Sequence, residues 1–254
     1  MKAKKLKIIG IAVMTVVIVC LIAGFIYFDK HYAVINKKIY RNDIKTIRGT
    51  NLTKKDDIDY WIDFDITNIR EVNKCTELED MELEQAKENT ISQLNDFPNM
   101  KYLEIFLSYI GSADIEKINS FNLEELYIHD CFDVDFTGFN SDTIPKIIIL
   151  LSDIKNLKPL AECKSIKDLS IIASTIPDYI IEEPFRNYVL KDSSIFADFD
   201  YVENLYLSLD EIEDISGILE MDSLKVLKVH EGDISEDNVK LLEDKGVTVT
   251  YYEN

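Results

Sequence analysis

The chain has 254 residues, with 28 basic and 47 acidic residues and a formal net charge of -19 at pH 7. So acidic a chain repels phosphate backbones, which argues against nucleic-acid binding. Its four cysteines are too few and too scattered for a disulfide framework, and C-x-x-C, H-E-x-x-H, P-loop and glycine-rich fingerprints are all missing from the sequence.

The N-terminus predicts a membrane-spanning helix. Residues 1–7 form a basic tail, and residues 8–28 form an apolar run without a charge. At about 1.5 Å per residue, a helix of that length spans roughly 31 Å, the thickness of a bilayer core. The run is longer than the apolar region of a cleaved signal peptide and has no A-x-A-like exit. We therefore predict an uncleaved single-pass helix in the cell membrane.

Residues 29–57 are predicted to be a basic spacer beside the membrane. Residues 30–55 carry eight Lys or Arg against one acid, whereas residues 58–254 carry 16 basic and 43 acidic residues, a net charge of -27. The spacer is either solvated or in contact with anionic lipid headgroups. By number alone, the positive charges after the helix favour a following domain inside the cell. The short basic leader before the helix is instead typical of a signal anchor, with its following domain outside the cell. We expect the latter orientation.

Residues 58–234 carry a repeated pattern of the form L-x-x-L-x-L. Its second apolar positions step by 22, 23, 21, 22, 19, 17 and 22 residues, which is a solenoid period. These positions are Met81, Leu103, Leu126, Ile147, Leu169, Tyr188, Leu205 and Leu227. Three residues after the third apolar position every repeat has a small residue, in order Ala86, Ser108, Cys131, Ser152, Ser174, Ser193, Asp210 and Gly232.

The return path of each repeat and the C-terminus have patterns of their own. Apolar residues recur every third position, as in Ile154, Leu157 and Leu160, which favours 3₁₀ turns or extended coil over α-helix. Residues 235–254 are predicted to form a cap made of a helix and a strand. Ser235 is a suitable helix N-cap, and Gly246 is a suitable stop.

The repeats resemble the 22-residue, internalin-like class of leucine-rich repeats, whose units carry a strand, a small-residue turn and a short 3₁₀ segment. The resemblance covers roughly residues 58–254. It implies an α/β solenoid, with a parallel sheet on the concave face and 3₁₀ or coil segments on the convex face. It also implies a bacterial, membrane-anchored protein that serves adhesion or interaction rather than catalysis. The sequence departs from the class in its missing Asn ladder, its two short steps, and Tyr188 where leucine is usual.

The outward positions of the strands predict a binding surface. Because strand side chains alternate, residues between the core positions line up in columns across the concave face. The middle members of these columns are apolar, and such a patch is typical of a contact with a protein or peptide, a flanking loop or a second copy. The predicted partner-binding residues are Phe106, Tyr127, Ile148, Leu150, Ile172, Val189 and Tyr206.

The alternative is a cell-envelope protein that binds or cleaves glycans. Glu82 and Glu104 are expected on neighbouring strands about 5 Å apart, the carboxylate separation of a retaining glycosidase, with Tyr102 and Tyr127 nearby. We favour the non-enzymatic interpretation because no other motif supports catalysis.

Neither a cofactor nor a metal is predicted. His129 and His230 are expected five strands apart, roughly 24 Å, which is too far to share a metal ion. The acidic run between residues 56 and 65 lacks the spacing of a calcium-binding loop. Solvated charge is the simpler interpretation of that run.

Overall fold

The computed structural model describes residues 2–35, 38–47, 66–172, 180–182, 187–190, 192–209 and 211–252. Its helices are α1 (Lys2–His31), α2 (Ile66–Val72), α3 (Ser112–Ile118), α4 (Lys158–Ala161), α5 (Ser216–Glu220) and α6 (Glu236–Asp244). Its strands are β1 (Tyr32–Ile35), β2 (Lys38–Arg41), β3 (Thr46–Ile47), β4 (Asp80–Glu84), β5 (Tyr102–Phe106), β6 (Glu125–His129), β7 (Val134–Asp135), β8 (Lys146–Leu150), β9 (Ile154–Asn156), β10 (Asp168–Ile172), β11 (Ile180–Glu182), β12 (Asn187–Leu190), β13 (Asn204–Ser208), β14 (Glu211–Ile212), β15 (Val226–Val229) and β16 (Thr248–Tyr251).

One parallel sheet runs through the repeats. In the described part of the chain it has nine strands, in the spatial order β3, β4, β5, β6, β8, β10, β13, β15 and β16. Inward positions are apolar and fully buried, as Leu126 and Ile128 are in β6. Side chains alternate along a strand, so Glu125, Tyr127 and His129 of the same strand lie on the outer, concave face. The predicted fold class is confirmed: a leucine-rich repeat solenoid follows one apolar N-terminal helix.

Among the described residues, the small residue after β4, β5, β6 and β8 has a structural role that explains its recurrence. The Ala86 N–H donates to Ser108 Oγ at 2.8 Å, and that hydroxyl donates to the Phe106 carbonyl at 2.7 Å. One repeat later, the Cys131 N–H donates to Ser152 Oγ at 3.0 Å. Each buried hydroxyl thus satisfies a turn N–H of the preceding repeat, which a bulky residue would displace. A hydroxyl ladder stands where the resemblance implies an asparagine ladder.

The return path contains short α-helices where the sequence predicted 3₁₀ or coil. Segments Ile91–Gln93 and Ser194–Phe196 are 3₁₀, but α2 and α3 are α-helical over seven residues each. One or two turns hold too few apolar positions for a period of three to be distinguished from 3.6. Asparagines join neighbouring returns: the Asn95 N–H donates to Asn73 Oδ1 at 2.7 Å, and the Asn140 N–H donates to Asn119 Oδ1 at 3.0 Å.

The regular succession of strands breaks after β10. Strand β10 pairs directly with β13, so the step from Leu169 to Leu205 is 36 residues instead of two turns of about 22. Strand β12 instead pairs antiparallel with β11 and parallel with β14, in a separate three-stranded sheet. The prediction that Val189 lies in the concave column is therefore wrong. The two short steps together are too short for two circuits, so one circuit carries an insertion.

The N-terminal end of the core is closed by residues predicted to be a solvated spacer. Strands β1 and β2 form an antiparallel hairpin whose Ala33 and Ile35 are fully buried in the core. Strand β3 adds Ile47 and pairs in parallel with β4. An open solenoid end needs such a cover, and the surrounding basic residues hid it in the sequence. The remainder of the predicted spacer, from residue 48 to 57, and the predicted repeat boundary at 58 lie outside the described residues.

The C-terminal end is closed by α6 and β16. Ser235 Oγ accepts the Asn238 N–H at 3.2 Å, which caps the helix, and Leu242 is fully buried beneath it. Gly246 then has a φ of 93°, a conformation that glycine adopts without strain. Strand β16 pairs in parallel with β15 as the last strand of the sheet.

Candidate interaction surface

The sheet register brings six of the seven predicted contact residues onto one face. The central column reads Glu82, Glu104, Tyr127, Ile148, Ser170, Tyr206 and Lys228 in successive strands. The next column reads Glu84, Phe106, His129, Leu150, Ile172 and Ser208. We call Phe106, Tyr127, Ile148, Leu150, Ile172 and Tyr206 the concave patch. Val189 is not part of it.

The concave patch is a packed platform of partly exposed side chains. The ring centroids of Phe106 and His129 are 4.8 Å apart, and those of Tyr127 and His129 are 5.8 Å apart. Burial raises the pKa of Tyr127 and of Tyr206, so both hydroxyls stay neutral at physiological pH. Side chains already held by their neighbours lose little freedom when a partner docks.

A second apolar group, missed by the sequence analysis, lies where the chain leaves the strands. Tyr109, Phe132 and Leu151 are 51%, 45% and 45% exposed, and the rings of the first two are 5.3 Å apart. Leu151 directly follows Leu150 of the concave patch, so the two surfaces meet at this edge. We call these three residues the edge cluster. Its signal in the sequence is an aromatic residue directly after the small turn residue in two successive repeats.

The concave face is acidic at one end. Glu82 and Glu104 face each other in register, and so do Glu84 and Phe106. Burial raises the pKa of Glu84, and the charge of Glu82 raises it further. At the other end Lys228 Nζ lies 4.7 Å from the Tyr252 ring centroid. The surface therefore changes from acidic through apolar to mixed polar along the solenoid.

The two carboxylates required by the glycan alternative, Glu82 and Glu104, lie on neighbouring strands. Glu82 and Glu104 occupy paired positions on β4 and β5, as predicted. Tyr102 is 41% exposed, and its hydroxyl donates to Glu124 Oε2 at 3.2 Å. Cavities of about 370, 410 and 590 Å³ occur elsewhere, and none of the three is lined by these glutamates.

The histidines take structural positions. His129 Nε2 lies 3.1 Å from Asp130 Oδ2. His230 Nε2 lies 2.7 Å from Ser208 Oγ, and its ring is tilted against that of Tyr252, with centroids 4.6 Å apart. Because β12 has left the sheet, the two histidines lie four strand steps apart, roughly 19 Å, rather than five. The Ser208 contact is a pair that the sequence analysis did not find, and it holds the His230 ring in place.

Buried thiols complete the core. Cys75, Cys131 and Cys163 are free and buried, and burial raises their pKa values to about 11, 12 and 11. Thiols so protonated are weak nucleophiles and weak metal ligands. Within the described ranges, histidine, cysteine and acidic side chains form no group of three or more suited to a metal ion. The acidic run between residues 56 and 65 lies outside those ranges.

Among comparisons with known proteins, the matches are to solved structures. No protein-family model and no curated protein matches the sequence. The structure is similar to internalin C2 from Listeria monocytogenes, at 20% identity over 71% of this chain and 74% of that one, with a TM-score of 0.47. It is also similar to an internalin, inlF, from the same organism, at 17% identity over 73% of this chain and 52% of that one, with a TM-score of 0.47. The second match thus spans about half of that internalin. The fold assignment rests on the sheet, the repeat length and the turn ladder.

Proposed function

We propose that this protein is a non-enzymatic, membrane-tethered recognition module that binds a protein or peptide on its concave patch and edge cluster. The observation that carries the proposal is the register of β5, β6, β8 and β10, which places their aromatic and aliphatic outward residues side by side. Isolated apolar residues are ordinary on a protein surface, but a contiguous group indicates a contact.

The composition of the surface favours a protein partner. Aromatic residues are enriched at the centres of protein interfaces, where a few of them carry much of the binding energy. Phe106, Tyr127, Tyr109 and Phe132 are four such residues within two neighbouring repeats. The acidic end of the face complements a partner that carries basic residues beside its apolar segment.

Helix α1 supplies the tether. The stretch Val13–His31 is long and apolar enough to cross a membrane, and none of it is buried by the rest of the protein. Phe25 and Leu21 are 72% and 68% exposed, as expected of side chains that face lipid. The orientation we propose puts the solenoid outside the cell. A reporter enzyme fused after Asn254 and active only outside the membrane would test that side.

Site-directed photo-crosslinking in intact cells tests the binding surface. A photoreactive amino acid at Ile148 should yield a crosslinked partner, whereas the same group at Glu116, exposed on the return path, should not. The crosslinked protein is then purified, and its affinity for wild type is compared with that for Tyr127→Ser combined with Ile148→Ser. Affinity should fall at least about tenfold, because hot-spot truncations typically exceed 1 kcal/mol. Equal crosslinking from both positions, or unchanged affinity, contradicts the proposal.

Folding of the double variant must be checked in the same experiment. Both residues point outward, so the melting temperature should stay close to that of wild type. If the variant unfolds, the strands are displaced by one residue, because a one-residue slip exchanges the two faces of a strand.

The glycan alternative is supported by the Glu82 and Glu104 pair alone. Replacing both by Gln keeps their shape and removes the two charges. If the protein cleaves or binds glycans through them, hydrolysis or binding of cell-envelope glycans disappears in the variant. If the variant captures the crosslinked partner as wild type does and wild type shows no hydrolysis, this alternative is eliminated.

A further inference from the structure

A polar cavity of about 370 Å³ lies where α1 meets the solenoid. This volume falls within the range of roughly 300 to 1,000 Å³ that is usual for small-molecule sites. Its walls come from the end of α1, the turn that follows β2, and the loop after α2. The lining residues are Tyr27, His31, Tyr32, Arg41, Asn42, Asp43, Thr76 and Glu77.

The position of the cavity along α1 matches the headgroup layer of a bilayer. The apolar run ends at Phe28, and the first charged residues after it are Asp29 and Lys30. The rings of Phe28 and Tyr32 stack with centroids 5.1 Å apart, and aromatic residues at this depth are typical of the membrane interface. Asp29 is also tied to the solenoid, because its Oδ1 lies 2.6 Å from Lys74 Nζ. The cavity is therefore held at a fixed height above the apolar run.

The cavity presents charges of both signs. The Arg41 side chain is 74% exposed, and its Nη2 lies 2.7 Å from Asp43 Oδ2. Glu77 Oε2 accepts Asn99 Nδ2–H at 3.2 Å. Guanidinium groups bind phosphate oxygens with good geometry, and carboxylates bind ammonium groups. The rings of Tyr27 and Tyr32 offer faces on which a cation can rest. A ligand that carries both a phosphate and an amine matches this set.

Asn42 fixes one wall of the cavity, and Glu77 distinguishes one kind of amine from another. Its side-chain Nδ2–H donates to the Lys30 carbonyl at 2.8 Å, and its backbone N–H donates to the His31 carbonyl at 3.1 Å, so both cap the end of α1. The amide orientation is thereby fixed. Glu77 carries the selectivity, because a primary ammonium can donate an N–H to its carboxylate, whereas a quaternary ammonium has no N–H to give.

We propose that this cavity binds the headgroup of an aminophospholipid, with the phosphate at Arg41 and the primary ammonium at Glu77. The inference rests on the membrane-spanning part of the proposed function. It does not depend on what the concave patch binds.

Lipid retention by the full-length chain tests the inference. The chain is reconstituted into nanodiscs that contain phosphatidylethanolamine, phosphatidylcholine and phosphatidylglycerol in equal amounts, and native mass spectrometry then counts the lipids that stay bound. Wild type should retain phosphatidylethanolamine about tenfold over phosphatidylcholine, as expected for one discriminating hydrogen-bonded contact. Arg41→Ala and Glu77→Gln should each remove that preference. Equal retention of the two lipids, or variants that retain lipid as wild type does, overturns the inference.

A matched pair of control variants lies close by. Lys45 and Glu79 form an ion pair beside the cavity without lining it. Lys45→Ala and Glu79→Gln therefore remove the same charges and should leave lipid selectivity unchanged. If they abolish it as well, the preference comes from general surface charge, and the inference fails.

Two further measurements separate the sources of failure. Alkaline carbonate extraction of cell membranes is examined first, because a chain released into the soluble fraction contradicts the membrane tether itself. A chain that stays in the membrane without preferring the primary amine contradicts this inference alone. Glycerophosphoethanolamine, the soluble ester with the same headgroup, is then offered as a competitor. Displacement of the lipid by this ester at equal concentration would mean that the site takes a soluble compound, which overturns the lipid assignment.

Discussion

Two described turns, one before the break at β10 and one after it, are stabilised differently. In the regular half, neutral groups accept the turn N–H, as Ser108 Oγ does for Ala86. Beyond the break a carboxylate takes over: Asp214 Oδ2 accepts the N–H of Ser193 at 2.9 Å and its hydroxyl at 3.0 Å. The same structural need is met by an uncharged group in one half and an ionised group in the other. These two turns should therefore respond differently to pH, although they lie over one shared core.

The largest expected effect tests whether the core is shared. Leu126 lies before the break and Leu205 after it, and both are 0% exposed. Replacing either by Ala should cost about 2 to 5 kcal/mol of unfolding free energy, because it leaves a cavity in a packed core. Denaturant unfolding followed by circular dichroism should show one transition shifted by both variants. Two transitions, each moved by one variant only, would show that the break divides the solenoid into independent units.

A glycine beside the insertion gives the next largest effect. A Cβ added at Gly217 would lie 1.9 Å from the Ser193 carbonyl oxygen, far inside contact distance. Gly217→Ala should therefore push the segment around Ser193 away from α5 and cost about 1 to 3 kcal/mol, a typical penalty for overpacking. Hydrogen exchange should rise around residues 193–196. The matched control is Gly232→Ala. No atom lies within 4 Å of an added Cβ there, so this variant is destabilised only by the backbone strain of a φ of 98°.

A smaller effect is expected in the neutral ladder. Ser152→Ala leaves the Cys131 N–H without its acceptor, and this should cost about 1 to 2 kcal/mol. Ser152→Cys should recover part of the loss, because Cys131 itself fills the equivalent position of its own repeat. Thermal melts at pH 6 and pH 3.5 should give the same difference between wild type and Ser152→Ala, since the bond from the Cys131 N–H to the Ser152 hydroxyl joins two neutral groups. A difference that depends on pH would contradict the neutral ladder.

The smallest effect, and the most specific, is the pH dependence beyond the break. Hydrogen bonds from the Ser193 N–H and from Ser216 hold the pKa of Asp214 below its usual range. Because the pKa of Asp214 is lower in the folded protein than in the unfolded chain, where it is about 3.9, its ionised form stabilises the fold at pH values above 3.9. That stability is lost as the pH falls through the pKa of the folded protein. Asp214→Asn should destabilise the protein by about 1 kcal/mol at pH 6, and the gap from wild type should narrow towards pH 3. A constant gap in urea titrations across that range would contradict this origin.

The sequence predicts most of the concave face because its periodicity is a direct record of burial. Six of the seven predicted contact residues align once the strands pair. The predicted position of Val189 was wrong because the apolar residues around it have the spacing of a repeat. The 36 residues from Leu169 to Leu205 are nevertheless too few for two turns of the solenoid. The hairpin of β1 and β2 escaped detection because two buried residues, Ala33 and Ile35, carry little signal among basic neighbours.

The edge cluster shows a different limit. Tyr109 and Phe132 lie outside the apolar core pattern, and their shared position after the small turn residue occurs in only two successive repeats. Their significance comes from the turn geometry, in which the preceding residues Leu107 and Asp130 have positive φ values of 48° and 50°. A single sequence does not reveal such left-handed residues when they are not glycine. The hydroxyl ladder was marked by its small residues, but its bonding pattern required coordinates.

The capped junction between α1 and the first repeat limits how far the solenoid can move from the end of α1. A flexible linker of about 29 residues would let the domain sample distances of roughly 30 Å from its anchor. Here the chain passes from His31 straight into a hairpin buried in the core, and the Asp29 to Lys74 ion pair braces the joint. This joint leaves the solenoid little freedom to move relative to α1. If α1 spans the bilayer as proposed, a partner must come within the length of the solenoid itself, and force on that partner is transmitted to the bilayer without first straightening a flexible linker.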